Sequence, residues 1–301
     1  MPSVCPPLFE AVPNFSEGRD DEKIARIVAR VHAVPSVRVL GLHSDPDHNR
    51  SVLTFAGEAE AVLEAAVALA EACVSEIDLA SQTGEHPRMG SLDVLPFVPL
   101  EGATLEDAVR LARQAGERIG SLGLAVYLYE AAATDPHRRN LADVRRGGYE
   151  GLAARVEDPL WQPDYGPPEL DPRKGAVAIG ARPFLVAFNA YLDTDDVEVA
   201  RAVARKVRER DGGLPGVKAL GLEVGGRAQV SMNLTDLETT PIPTALEAVR
   251  CAAAEHGASV ESTELVGLAP LEAILQVARH YLALRELERE HVLEVRLWDA
   301  Q

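Results

Sequence analysis

The chain repeats one pattern of secondary structure twice. The run AVLEAAVALAEAC at residues 61–73 returns as ALEAVRCAAAEHG at residues 245–257, and each copy follows a pair of β-rich runs. The first strand of each half also ends near an asparagine, Asn14 in one and Asn189 in the other. A sequence that spells the same supersecondary unit in both halves is constrained to fold as two related α/β subdomains, each around its own sheet.

The first half reads as follows. Leu8 to Val12 is a short apolar run closed by Pro13-Asn14. SEGRDDEKIARIVARV comes next, with Ser16 as a candidate cap and Ile24, Ile27, Val28 and Val31 at helical spacing. VRVLGLH (Val37 to His43) and SVLTF (Ser51 to Phe55) are strands separated by the polar turn SDPDHNR. A helix is predicted from Glu58 to Ile77, a strand from Asp93 to Leu100, a helix from Thr104 to Ile119 opened by a Thr104/Asp107 capping box, and a strand from Ala125 to Tyr129. That order is βαββαβαβ. The second half predicts a strand from Arg182 to Leu192, a helix from Asp195 to Arg210, a hairpin of VKALGLEV and AQVSMNL around Gly225-Gly226, a helix from Thr244 to Glu255, a strand from Ser259 to Val266 and a helix from Leu271 to Leu287. Its core is βαββαβ. The fold class is α/β (α+β): two related βαββαβ subdomains, residues 1–181 and 182–301, with sheets facing a ligand cleft and helices outside.

Residues 157–175, EDPLWQPDYGPPELDPRKG, separate the halves and contain five prolines. Proline bars both helix and central strand, so the stretch is an extended connector. It is either a plain linker or, through Trp161, Tyr165, Gly166 and Gly175, a wall against which a flat heterocycle can lie.

Bulk composition narrows the partners. With 301 residues, 47% of them apolar and 26% charged, the chain is globular and long enough for a sizeable core. A net charge of −17 argues against nucleic-acid or anionic-membrane surfaces, so any anionic ligand must be met by locally placed arginines. Cys5, Cys73 and Cys251 are widely spaced and unlike any zinc motif, which suits reduced thiols in the cytoplasm. The N-terminal MPSVCPPLFEAVPNF has no export signature, and no run of 18 apolar residues occurs.

Of eight histidines, His32, His256, His280 and His291 lie on or beside predicted helices and His137 lies in an exposed turn. His43 and His48 belong to HSDPDHNR, where two imidazoles and two carboxylates read either as a metal loop or as a solvated Asx turn; lacking a third ligand pattern, no metal is predicted. His86 differs. In GEHPRMG, residues 84–90, Pro87 forces it out of the α region, so fixed backbone and not a helix face presents the ring. An imidazole with a pKa near ~6.5 exchanges protons at neutral pH, and Glu85 and Arg88 can tune it or orient a ligand. From spacing alone the loop is open to a structural or a catalytic reading. The second half has no counterpart of it. GxGxxG, Walker A, GxSxG and HExxH patterns are all missing.

VPNFSEG (Val12 to Gly18), HNRSVLTF (His48 to Phe55), GEHPRMGSLDVLPFVPL (Gly84 to Leu100), AVYLYEAA (Ala125 to Ala132), PDYGP (Pro163 to Pro167) and LVGLAPLEAI (Leu265 to Ile274) together resemble the formiminotransferase family. The resemblance runs from about residue 8 to about residue 297. It implies transfer of a formimino group from N-formimidoyl-L-glutamate to N5 of tetrahydrofolate, a step of histidine degradation, in a cytoplasmic homodimer. It places the catalytic proton-transfer histidine on His86. It places the folate-binding segment on Gly166, Pro167, Pro168, Glu169, Leu170, Asp171, Pro172, Arg173, Lys174 and Gly175, following the W-x-PD[FY]GP signature. Asn14, Asn49, Arg50, Glu85 and Arg88 are further candidate substrate contacts, and Arg50, Arg88, Arg173, Lys174 and Arg182 are candidate clamps for the glutamate carboxylates of both substrates. Because the chain ends soon after its second subdomain, the cyclodeaminase of the bifunctional family members is expected to be a separate protein. Two other readings fit the same spacing: a glutamate formyltransferase, since formyl and formimino differ only by O for NH, and a folate-binding protein without turnover.

Overall fold

The computed structural model describes residues 6–83 and 88–298. Gly84, Glu85, His86 and Pro87, and with them two of the candidate site residues, lie outside the described residues. The chain divides into two compact units, residues 1–183 and 184–301.

The first unit runs β1 (Leu8–Ala11), β2 (Asn14–Phe15), α1 (Asp21–His32), β3 (Arg38–Asp45), β4 (Arg50–Glu58), α2 (Ala59–Glu76), β5 (Leu92–Pro99), α3 (Leu105–Gly120), β6 (Ala125–Glu130), α4 (Leu141–Val144), α5 (Gly148–Arg155) and β7 (Ala176–Ala181). β1 and β2 are two pieces of one strand broken at Val12-Pro13, since both pair antiparallel with β4 and with β5. Pro13 has no N–H to give the ladder, yet its carbonyl accepts from Leu53 N at 3.0 Å, so the break costs little pairing. The seven strands therefore lie in the order β3, β4, β1/β2, β5, β7, β6, with β5, β7 and β6 mutually parallel.

Strand alternation sorts this sheet into two faces. Phe9, Ala11, Phe15, Leu53, Phe55, Leu95, Phe97, Val126, Leu128, Val177 and Ile179 join buried residues of α1, α2 and α3 in one core. The intervening residues face the other way. There Val144 of α4 and Leu152 of α5 pack over Tyr127, Tyr129, Ala176 and Ala178, while Glu10 and Asn14 lie buried on the same face.

The second unit runs β8 (Val186–Leu192), α6 (Val197–Val207), β9 (Val217–Val224), β10 (Arg227–Leu234), α7 (Ile242–Ala254), β11 (Val260–Val266), α8 (Leu271–Leu282) and α9 (Leu293–Trp298). Its four antiparallel strands lie in the order β11, β8, β10, β9. Val186, Phe188, Ala190, Val230 and Met232 build its core with Val203, Val207, Leu246 and Val249 of the helices. Gly225 and Gly226, with φ of 58° and 74°, make the two-residue hairpin turn that needs left-handed backbone at both positions.

Three sequence expectations are corrected. Ser16 does not cap α1. Asp20 does, accepting from Lys23 N at 2.9 Å, because residues 16–19 are still needed for a tight turn after β2. The strand expected from Arg182 to Leu192 begins at Val186, and a separate strand, β7, precedes it. The connector is no linker between units, since it is hydrogen-bonded into the first one. Tyr165 O accepts from Val126 N at 2.9 Å, and the Tyr165 side chain packs over α3 where Gly116 and Gly120 leave room, an added Cβ meeting the ring at 2.8 Å from Gly116 and Tyr165 Cβ at 2.8 Å from Gly120. Tyr165 is thus half-buried against the core of the first unit. Among the described residues no helix is long and apolar enough to cross a membrane.

Candidate active site

The residues flanking positions 84–87 are held at both ends by groups far away in sequence. On the entry side, Asn49 adopts φ of 49°, a conformation asparagine tolerates better than most residues. From there Asn49 Oδ1 accepts from Gly18 N at 2.9 Å, while its Nδ2 donates to Thr83 O at 3.0 Å and to the Gln82 side-chain oxygen. Gln82 Nε2 donates to Glu17 Oε2 at 3.2 Å. Glu17, only 2% exposed, also receives Lys23 Nζ at 2.8 Å and the backbone N–H groups of Gly18, Arg19 and Asp20. Burial by itself would raise the Glu17 pKa, but Lys23 and the Arg19 and Asp20 amides outweigh it and hold the carboxyl below its usual range. A fixed anion therefore ties the start of α1 to the segment before residue 84.

On the exit side Arg88 Nη2 donates to Gln82 O at 2.6 Å and bridges the two stems. Arg88 O accepts from Tyr149 N at 2.6 Å. Met89 N donates to Asp93 Oδ1 at 2.9 Å, and Gly90 O accepts from Ser16 Oγ at 2.7 Å. Asp93, 1% exposed, pairs through Oδ2 with Arg145 at the end of α4.

The far end of residues 166–175 is stitched to this same exit. Gly90 and Gly175 form an antiparallel bridge, Ala176 N donates to Met89 O at 2.8 Å, and Ser91 N donates to Lys174 O at 2.9 Å. Gly175 has φ of 70°, and a Cβ there would sit on the Met89 carbonyl oxygen; a Cβ on Gly90 would sit on that of Ala176. Within the segment Asp171 makes a capped turn, its Oδ1 accepting from Arg173 N at 2.9 Å and its carbonyl from Gly175 N at 2.8 Å. Pro172 O accepts from Tyr149 OH at 2.8 Å, and Arg173 Nε pairs with Asp78 at 3.2 Å. Lys174 Nζ lies 3.5 Å from Asp171. Leu170 packs against the core under α4 and α5, Pro167 is half-buried, and Gly166, Pro168 and Glu169 are exposed. Gly166, with φ of 83°, allows the chain to pass the Leu124 carbonyl.

The remaining candidates separate. Asn14 and Arg50 meet, the Arg50 guanidinium donating to Asn14 Oδ1, and both are on the sheet face opposite α1–α3. Burial first, then repulsion from Arg145, pushes Arg50 down to about 10. Arg182 lies toward Glu10, which burial raises and Arg182 partly counters. Arg182 thus stands apart from the stems. The HSDPDHNR loop is the Asx turn: Asp45 Oδ1 accepts from Asp47 N and His48 N, both at 2.9 Å, and Asp45 Oδ2 pairs with His48. Among the described residues no group of three or more His, Cys, Asp or Glu is placed to hold a metal. Trp161 is stacked under the Arg155 guanidinium, 3.4 Å from the ring centroid, and its carbonyl accepts from Tyr127 OH. Glu17, Gln82, Asp93 and Arg145 are the residues that sequence reading passed over. Glu17 and Asp93 sit inside the quoted motifs VPNFSEG and GSLDV, whereas Gln82 and Arg145 carry no local signal.

Comparisons with known proteins cover nearly the whole chain. Residues 8–182 match the formiminotransferase domain, N-terminal subdomain, and residues 187–296 match the formiminotransferase domain. A glutamate formimidoyltransferase of Thermoplasma acidophilum is 43% identical over 95% of this chain and 96% of its own, and one of Streptococcus pyogenes is 40% identical over 95% and 97%. The formimidoyltransferase-cyclodeaminase of Mus musculus is 40% identical over 94% of this chain, which spans 54% of that longer protein. The chain belongs to the formiminotransferase family.

Proposed function

We propose that the protein is a transferase that moves the formimino group of N-formimidoyl-L-glutamate to N5 of tetrahydrofolate, releasing L-glutamate, within histidine degradation. The observation that carries this reading is the stitching of Gly175 to Gly90: the segment assigned to folate ends on the exit stem of the loop that bears His86, although 85 residues separate them in sequence. Folate spread along residues 166–175 is thereby brought toward that loop.

The donor carbon belongs to an amidine, which is electrophilic when protonated. N5 attacks this carbon and loses its proton as the new C–N bond forms; the glutamate nitrogen gains a proton as the old C–N bond breaks. His86 serves as base toward N5 and then as acid toward the departing nitrogen, worth ~10²- to 10⁴-fold in rate. Holding both substrates in register supplies the remainder. The charge that develops is cationic, so a carboxylate stabilises it better than amide donors do, and Glu85 is the neighbouring candidate. The working assembly is a homodimer in the cytoplasm.

Purified protein given tetrahydrofolate and N-formimidoyl-L-glutamate should form 5-formimidoyltetrahydrofolate, and N-formyl-L-glutamate should give nothing. His86→Ala should lose transfer by about 10³-fold or more while still binding folate. Preference for the formyl donor, folate binding without turnover, or an active His86→Ala protein would each overturn the reading.

A further inference from the structure

Three segments far apart in sequence meet at Tyr149. It is the second residue of α5, where an amide has no partner within the helix, and Arg88 O on the exit stem accepts from it at 2.6 Å. The ring lies 5.7 Å from the Arg88 guanidinium, within reach of a cation–π contact. That guanidinium donates to Gln82 O on the entry stem at 2.6 Å and stands 3.5 Å from Glu150. The Tyr149 hydroxyl serves a different segment. It donates at 2.8 Å to Pro172 O, in the Asp171-capped turn of residues 166–175.

Tyr149 can hold these groups because its own helix is anchored. One turn further on, Leu152 is 3% exposed and packs with Tyr127 and Tyr129 of β6, and Tyr149 and Leu170 pack against the same cluster. The turn at Pro172 has a second hold, Leu79 N donating to Arg173 O at 2.9 Å. Removing the hydroxyl therefore loosens the turn without releasing it. Ring and amide serve the two stems, the hydroxyl serves the turn, and substitution can separate the two duties.

We propose that Tyr149 is a positioning residue for the transfer, its hydroxyl holding the segment assigned to folate and its ring and amide holding the stems of the loop that bears His86. The proposal rests on the transfer reading above for the roles of those two segments. Attack by N5 needs the acceptor and the proton-transfer group placed together, and a displacement of about 1 Å, even one caused far from the chemistry, costs about 10²-fold in rate. A residue bonded to the carriers of both groups controls that placement without touching the reacting atoms.

The test sets two substitutions against each other in steady-state kinetics with tetrahydrofolate and N-formimidoyl-L-glutamate. Tyr149→Phe keeps the ring and the amide and removes the bond to Pro172. KM for tetrahydrofolate should rise about 3- to 10-fold, the size of one hydrogen bond, while kcat and the KM for the donor stay within about 2-fold of wild type. Tyr149→Leu also removes the ring beside Arg88, and its kcat should fall about 10²-fold. Phenylalanine thus rescues kcat and leaves the acceptor KM raised. If Tyr149→Phe moves both KM values alike, or lowers only the unfolding temperature while the folded protein keeps wild-type kinetics, the tyrosine is merely structural and the proposal fails. A folded Tyr149→Leu protein that turns over as fast as Tyr149→Phe also overturns it; if Tyr149→Leu does not fold, the split between the two KM values in Tyr149→Phe decides. Should the wild-type protein bind tetrahydrofolate and transfer nothing, the transfer reading falls by itself. Calorimetry then decides the hydroxyl's role, since Tyr149→Phe must weaken tetrahydrofolate binding by the same factor or the proposal fails. A wild-type protein that binds no tetrahydrofolate overturns both.

Discussion

The two units share a frame and differ in what hangs on it. Strands β3, β4, β1/β2 and β5 of the first occupy the places of β9, β10, β8 and β11 of the second, with the same antiparallel pairing. Each central strand also carries an asparagine, Asn14 in the first unit and Asn189 in the second. Yet Asn14 accepts from Arg50, while Asn189 donates to Glu264 at 3.1 Å beside the Tyr191 hydroxyl. Between helix and last shared strand the first unit inserts residues 77–91, where the second has only residues 255–259, closed by Ser259 on Asp193. The first unit then adds β6 and β7. Duplication supplied a scaffold, and one copy acquired a loop with the stems, glycines and buried charges that fix it.

If that contrast is real, glycines in left-handed backbone should not be equivalent. Gly175→Ala puts a methyl group on the Met89 carbonyl, whereas Cβ atoms at Gly225 and Gly226 meet nothing within 4 Å. Gly175→Ala should cost about 5 kcal/mol or prevent the first unit from folding. Gly226→Ala should cost only about 1–2 kcal/mol, for the left-handed conformation alone. Urea unfolding of both variants reads the difference, and similar losses would break the comparison.

Ion pairs should divide the same way. Arg138 and Asp164, with side chains 7% and 9% exposed, pin the connector, Arg138 also donating to the Leu160 and Gln162 carbonyls at 2.6 and 2.7 Å. Arg138→Ala leaves the Asp164 charge buried and should cost about 3–5 kcal/mol. In the second unit Arg227 and Glu261 are half exposed, 49% and 53%, and Arg227→Ala should fall within about 1 kcal/mol. Thermal unfolding midpoints of the two variants check it.

Much of the frame was legible because its signals are local. The Thr104/Asp107 capping box opens α3 with both reciprocal bonds in place. Gly225-Gly226 marked its hairpin, and the periodic apolar residues of α1 are the ones buried. β7 was missed since AVAIGA, small and apolar throughout, carries no alternation, being buried on both faces between parallel neighbours. α4 and α5 are short, four and eight residues, and they form against Tyr127 and Tyr129 of β6 instead of from propensity. At the site, GEHPRMG announced itself, but its fixings did not. Asp93 meets Arg145 across 52 residues and Gln82 meets Glu17 across 65, and no spacing rule reaches that far.

The smallest expected difference is the one that best separates a built site from surface charge. Because Glu17 titrates below the ordinary carboxylate range when folded, its stabilisation is present above the unfolded glutamate pKa and is lost as pH falls through the lower, folded value. Glu255 of the second unit is also lowered, by Lys206, but both partners are more than half exposed. Glu17→Gln should flatten the acid limb of the stability curve, and in 1 M salt most of that effect should survive, since Glu17 is 2% exposed and bonded to backbone amides as well as to Lys23. Glu255→Gln should change little at low salt and nothing at 1 M, because exposed charges are screened there. Chemical unfolding from pH 3 to pH 7 at both salt concentrations measures each. A Glu17 effect that vanished with salt would mean the anion at the start of α1 is surface charge, and that the entry stem at Gln82 is held by Asn49 and Arg88 without it.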